Sequence, residues 1–193
     1  MDIRLDVRLL QKKILTLMVD LNAIAFSAVK SRLSHEYLSY TVSKNQIFYF
    51  ISSLKHQLNF LCLTDLFGMD VQNNQIEVVY NLNNIALNLR VIIKTTVEYD
   101  GSIQSIDSIF PCANWYEREV FDMLGINFSN SKDMRRILMD EEFDGHPMRK
   151  NFPVYGNVEI FYNNATQTIE HEQVREEVRI EDFHFDSRWR GNP

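Results

Sequence analysis

Cysteine is scarce. Only Cys62 and Cys112 occur among 193 residues, so this chain alone cannot house a four-cysteine zinc site or an iron–sulfur cluster. Neither has a Cys-x-x-Cys partner, which excludes dithiol redox chemistry within the chain. The six glycines form no G-x-G or G-K-[ST] loop, and no Gly-x-Ser-x-Gly elbow is present. His35, His56, His146, His171 and His184 are scattered, with no pair at ligand spacing on one helical face, so no metal site is expected. No apolar run reaches the length of a membrane span. Lys12-Lys13 followed by Ile14–Val19 imitates a signal-peptide core, but Asp20 and Asn22 interrupt it. Asp2, Asp6 and Asp20 are wrong for an acid-poor transit peptide, so neither a leader nor a membrane anchor is expected. The net charge of −6 argues against a general nucleic-acid binder, which needs a basic surface.

What is present is the balance of one globular domain with an appendage: 45% hydrophobic and 24% charged residues. A chain of this size buries roughly 70% of its unfolded surface and needs no disulfide to fold. Asn and Ile occur 17 times each and Phe 13 times, against six Gly and four Pro. The abundant residues have A/T-rich codons, which points to an A/T-rich genome such as that of many organelles.

Residues 1–33 read as a helical lead-in. Leu38, Tyr40 and Val42 alternate as a strand. Ser43 precedes Gln46 at capping-box spacing, and Ile47, Phe50, Ile51, Leu54 and Leu58 follow as a helical stripe. Residues 60–66 form a short apolar run. Ile76, Val78, Tyr80 and Leu82 share one strand face, and Asn83-Asn84 predicts the hairpin turn. On the return strand, Leu87 to Val97 alternate with mainly polar Asn88 to Glu98, so one face is buried and the other wet. Asp100-Gly101 marks a turn. A second helix is predicted over 115–124, capped by Asn114 with Glu117 in the capping-box position and stopped by Gly125. Its stripe of Tyr116, Val120, Met123 and Leu124 should pack on the sheet. The fold class is therefore α+β: a small, mostly antiparallel sheet packed with helices, then a long irregular C-terminal extension. The domain runs over 34–128, and 129–193 is an extended segment that orders by lying on a partner.

Glu117-Arg118-Glu119 and Asp122 place three carboxylates on a single short helix. With no histidine in that helix, ion pairing is the favoured reading, with Arg118 and Asp122 as i, i+4 partners. Two basic knots, Asp133–Arg136 and Gly145–Lys150, suit phosphate, a partner's acidic groups or internal structure; interface or structure is favoured. A hydrolase using Glu119, Asp122 and His146 is the competing enzymatic reading. An RNA-binding sheet face carrying Arg90 and Lys94 is opposed by the acidity of the chain.

The run Ala113-Asn-Trp-Tyr-Glu-Arg-Glu-Val-Phe-Asp-Met-Leu-Gly-Ile-Asn-Phe128 resembles a known family, the thirty-kilodalton hydrophilic subunit of respiratory complex I. The likeness continues through Asp133-Met-Arg-Arg-Ile-Leu138, Gly145-His-Pro-Met-Arg-Lys-Asn-Phe-Pro153 and Phe183-His-Phe-Asp-Ser-Arg-Trp189, and covers about 44 to 193. Ser131-Lys132 stands where the family has His-Pro, Asn151 where it has Asp, and Arg188 where it has Pro.

The resemblance implies a subunit with no catalytic, cofactor-binding or metal-ligating residue of its own. The NADH, FMN, iron–sulfur clusters and ubiquinone of such complexes belong to other chains. It implies a hetero-oligomer on the matrix side of the mitochondrial inner membrane, peripheral and without a span, packed against the quinone-site subunit and other hydrophilic-arm subunits. Trp115, Glu117, Arg118, Glu119, Asp122 and Gly125 are then structural. Arg135, Arg136, His146, Arg149 and Lys150 are expected at the partner interface, with Phe183, Phe185 and Trp189 as tail anchors. The alternative is the equivalent subunit of a related membrane-bound hydrogenase or quinone-linked dehydrogenase.

Overall fold

A computed structural model describes residues 25–30, 36–71, 73–153, 156 and 158–174, with residue 16. The chain divides into two compact units, the first ending at Phe152 and the second starting at Pro153. Most of the 1–33 lead-in and the anchors Phe183, Phe185 and Trp189 lie outside the described residues. Within the described part of the lead-in Thr16 is helical, whereas Ala25–Lys30 is a strand, β1, and not helix.

The first unit continues with β2 (Glu36–Thr41), α1 (Ile47–Leu58), β3 (Cys62–Val71), β4 (Gln75–Asn84) and β5 (Leu89–Glu98). Then come β6 (Ser102–Gln104), α2 (Ala113–Leu124) and β7 (Asn127–Ser129). The main sheet has the order β1-β2-β5-β4-β3. Its ladders are antiparallel except β2 with β5. β6 and β7 form a separate parallel pair. The fold is α+β.

Period-two alternation builds the core directly. Tyr40, Ile93, Tyr80 and Leu66 stand in register across four strands, and all are buried. Phe50 of α1 meets Tyr40 edge-on at 6.0 Å, a favourable aromatic geometry. All five residues of the α1 stripe are buried. On the opposite face Lys94 reaches Glu77 at 2.7 Å, a partly exposed pair on the wetter side of the sheet. Gly68 of β3 marks where α2 comes down: a Cβ there would overlap Leu124 and press on Val120 Cγ1 at 3.3 Å.

Three expected caps and turns differ. α1 is capped at Gln46 without a side-chain bond to the backbone. Ser43 lies one turn too early, and its hydroxyl donates to Gln46 Oε1 at 2.9 Å instead. The hairpin turn is Ile85–Asn88, closed by Asn88 N–H to Ile85 O at 3.3 Å with Asn88 at φ 48. Asn84 is not a turn residue but the last of β4. It is buried, donates to Leu58 O at 3.0 Å and accepts from Leu87 N–H at 3.1 Å. One amide thus satisfies an orphan carbonyl at the end of α1 and starts the turn. α2 starts at Cys112 rather than Asn114, again with no side-chain cap.

The second unit contains a hairpin of β8 (Val158–Asn163) and β9 (Thr168–Gln173), so this part of the tail is regular rather than irregular. Val158, Ile160, Tyr162 and Ile169 on its surface are exposed.

Candidate functional site

The carboxylates singled out on α2 go to three different places. Glu117 and Asp122 are fully buried, Arg118 nearly so, and Glu119 is exposed. Burial of an ionisable group costs stability unless it is paired or hydrogen-bonded, so the partners decide what each one does.

Glu117 does not cap its helix. It accepts Ser105 Oγ–H at 2.7 Å and Ile106 N–H at 2.8 Å, which ties the loop after β6 to α2. No cation faces it. Burial pushes its pKa up to about 7 against the two hydrogen bonds, which pull it down. Burial, and then the charge of Glu117, pushes the Tyr80 phenol well above its ordinary value. Ser105 and its neighbour Asp107 carry no sequence signal beyond their place in a short polar loop.

Arg118 is not paired with Asp122. Its guanidinium donates to Arg135 O at 2.9 Å and Arg136 O at 3.3 Å, and lies 3.6 Å from Asp133. It also stacks over Trp115 at 5.1 Å. Trp115 itself is 63% exposed. Asn114 Nδ2 donates to Ser131 Oγ and Asp133 O, both at 3.3 Å. Ser131, at the family's histidine position, is therefore a hydrogen-bonding residue of this segment.

Asp122 accepts Arg136 Nη1–H at 2.6 Å and the backbone N–H groups of Ile137, Leu138 and Met139 at 3.1, 2.8 and 2.9 Å. Burial pushes this carboxyl up, but the Met139 and Leu138 amides, Arg136 and the Ile137 amide outweigh it and hold it below its ordinary value. Arg136 Nη2 also reaches Phe143 O and Gly145 O at 2.9 and 3.1 Å.

The second basic knot closes the end of the same helix. The last four carbonyls of a helix have no partner within it. Here Phe121 O takes Gly125 N–H at 2.8 Å, and Asp122 O takes His146 Nδ1–H at 2.9 Å. Met123 O takes Met148 N–H at 3.1 Å, and Leu124 O takes Arg149 Nε–H at 2.6 Å. Arg149 also pairs with Asp100 at 2.7 Å and lies over Tyr99 at 4.6 Å. Cations at a helix C-terminus further suit its dipole. Gly125 has φ +78, and a Cβ there would overlap Arg149 and His146.

Arg136, His146 and Arg149, expected at a partner interface, all hold contacts within their own chain. Where the sequence suggests a boundary at 128, the first compact unit runs on to Phe152, and residues 131–149 complete α2 within it. Arg135 is exposed and pairs with Asp133 at 2.7 Å, and Lys150 is exposed; these two remain available. The triad of the hydrolase reading does not form. The Asp122 carboxylate is filled by four donors, and His146 Nδ1 addresses a backbone carbonyl. Among the described residues no three His, Cys, Asp or Glu side chains gather as a metal set, and no helix is long and apolar enough to cross a membrane.

A family model described as the 30 Kd subunit of respiratory-chain NADH dehydrogenase matches residues 40–158. The chain belongs to this family. Its similarity to the C subunit of the NADH-quinone oxidoreductase of Rickettsia bellii is 46% identity over 158 residues, covering 80% of this chain and 81% of that one. The corresponding C subunit of Xanthobacter autotrophicus is 35% identical over 173 residues, covering 88% and 83%. Among solved structures, a chain of the membrane-bound sulfane sulfur reductase, an archaeal respiratory membrane complex, is similar with a TM-score of 0.60 and 28% identity, covering 74% of this chain and 85% of that one. The matched region of the 30 kDa family runs from β2 through the 131–149 segment to the first residue of β8, so the closed end of α2 lies inside the family's shared part.

Proposed function

We propose that the chain is a cofactor-free structural and assembly subunit in the peripheral arm of mitochondrial respiratory complex I. There it packs against the quinone-site subunit, while other chains carry electrons from NADH to ubiquinone and couple that flow to proton translocation. The observation that carries this reading is the 46% identity to the C subunit of a NADH-quinone oxidoreductase across four fifths of both chains. The geometry agrees with a supporting role: buried Arg118 and Asp122 of α2 fasten residues 131–149, and buried Glu117 fastens the loop after β6. The organellar part rests on the abundance of residues with A/T-rich codons.

The test is native electrophoresis of respiratory membranes. The chain is expected to migrate in a high-mass band with NADH-oxidising activity, and the purified chain is expected to oxidise no NADH and to give no cluster signal by electron paramagnetic resonance. Migration apart from every such band would refute the assignment. A second reading, the equivalent subunit of a respiratory membrane complex with a different electron donor or acceptor, is favoured by the structural likeness to the sulfane sulfur reductase chain. It predicts a high-mass band that lacks NADH oxidation.

A further inference from the structure

A cleft of about 370 Å³ opens between β3 and α2. One wall is the unbroken run Leu66–Asp70. Successive strand residues point to opposite faces of a sheet, so five in a row border a single cleft only along the edge of the strand. β3 is the last strand of the sheet. Among the described residues, β4 alone supplies backbone hydrogen bonds to Leu66–Met69. The outward backbone groups of this stretch therefore face the cleft.

Long edge strands are normally shortened, charged with lysine, broken with proline or covered, because they template pairing with other chains. β3 is ten residues long, Cys62–Val71, and contains neither lysine nor proline. Phe67 and Met69 on it are 39% and 40% exposed, and Met148 across the cleft is 64% exposed. Met69, Met123 and Met148 together make an adaptable apolar lining. Two acids border the cleft. Asp70 accepts from the Tyr99 hydroxyl and from Lys150 N–H through Oδ2, while its buried Oδ1 has no hydrogen-bond partner among the described residues. Glu119 is exposed and has no hydrogen bond or ion pair among the described residues.

We propose that this cleft receives an extended segment of another subunit, which adds as a strand to the open edge of β3. The segment seats apolar side chains against Val120 and Leu124 and brings an arginine or lysine to Glu119. An inserted helix would leave the outward groups of β3 unpaired, since its own backbone bonds are internal; strand addition pairs them. A second copy of this chain would bring another Glu119 and Asp70 to the same edge, and like charges brought together oppose association. A basic segment is complementary. The inference rests on the reading of the chain as a subunit of a larger assembly.

The test is hydrogen exchange of the Leu66–Met69 amides in the full free chain and in the native assembly, with Met69→Lys and Glu119→Lys as variants. Met69 and Glu119 are exposed, so both variants are expected to melt as the wild type does. Strand addition is expected to slow exchange of the outward amides by about 100-fold or more on assembly. Met69→Lys is expected to abolish incorporation, and Glu119→Lys to weaken it about tenfold, with Glu119→Gln between wild type and Lys. Normal incorporation with unslowed exchange at Leu66–Met69, or full incorporation of both lysine variants, would overturn the inference and leave the subunit reading intact. A protected edge in a particle of twice the chain's mass would overturn the heterologous occupant. A wild-type chain that enters no assembly would defeat the subunit reading and this inference with it.

Discussion

The Asp122 carboxylate, fully buried on α2, lies 2.6 Å from the Arg136 guanidinium, fourteen residues further along the chain. Three consecutive backbone amides close on the same carboxylate. One side chain therefore decides where residues 136–139 run. Their placement brings His146, Met148 and Arg149 onto the open carbonyls of the same helix.

Removing the Asp122 carboxylate should be costly. Asp122→Ala leaves a mostly buried guanidinium without its counter-ion and three amides without an acceptor, a loss of about 3–5 kcal/mol. Urea unfolding of the full chain measures it; a loss below about 1 kcal/mol would mean that water replaces the contacts. The lowered folded pKa of Asp122 adds a pH sign. Its contribution is present above the ordinary carboxylate range and is lost as pH falls through the folded value, so the advantage of wild type over Asp122→Asn should shrink in acid.

Glu117 has the opposite sign. Its folded pKa, about 7, is above its ordinary 4.5, so the folded state holds a proton that the unfolded chain has released. The stabilising contribution is complete below the unfolded value and declines as pH rises through about 7. Glu117→Gln keeps an acceptor for Ile106 N–H and cannot ionise. Relative to that variant, wild type should lose on the order of 3 kcal/mol between pH 4.5 and pH 8. Parallel stability curves for the two proteins across that range would show that Glu117 stays charged at its site.

Gly125→Ala is expected to destabilise by about 1–3 kcal/mol. The positive φ disfavours a Cβ, and the methyl would displace Arg149 and His146 from the helix end. Thermal unfolding reads the loss. The arginine-to-carbonyl contact is then weakened too, so Gly125→Ala and Arg149→Met should not be additive; additive losses would separate the two effects.

Trp115→Ala and Val120→Asp separate the two sides of α2. Trp115 is exposed and Val120 is buried. The tryptophan change should stay within about 1 kcal/mol of wild type, whereas a carboxylate at Val120 should cost several kcal/mol, about the penalty of an unpaired buried polar group or more. Equal melting temperatures for Val120→Asp and wild type would reverse the helix orientation.

Deleting residues 153–193 should leave the first unit with its own cooperative transition, because the bonds that complete α2 end with Phe152 N–H to Arg149 O at 3.0 Å. Incorporation into the respiratory assembly should be lost. Circular dichroism and native electrophoresis check the two halves; a truncated chain that assembles normally would remove the tail from the interface.

Much of the architecture was legible because its signals are local. Period-two alternation in β4 and β5, the stripe on α1 and Gly125 after α2 each follow from the geometry of a few adjacent residues. The motifs through Phe128, Leu138 and Pro153 marked the family for the same reason: they are contiguous runs. Turn and cap details were harder. Ser43, Asn83 and Asn114 have the right chemistry for a cap or turn, but the true positions were set by Asn84 reaching Leu58 O and by α2 beginning at Cys112.

The α+β class, the main helices and strands, and the lack of any phosphate loop or cysteine cluster all follow from the order of residues along the chain. Where the charges of α2 go is settled by packing between distant segments. Arg118 and Asp122 have the spacing of a helical ion pair, but an exposed pair of that kind is worth only about 0.2–0.5 kcal/mol. Burial raises the stakes, since each buried donor and acceptor must then be satisfied. The 131–149 segment supplies a full set of amides, carbonyls and guanidinium groups, which no single neighbour along the helix provides. Long-range partners therefore override local spacing, and Arg136, His146 and Arg149, which read as interface residues along the chain, become the closing groups of its own helix.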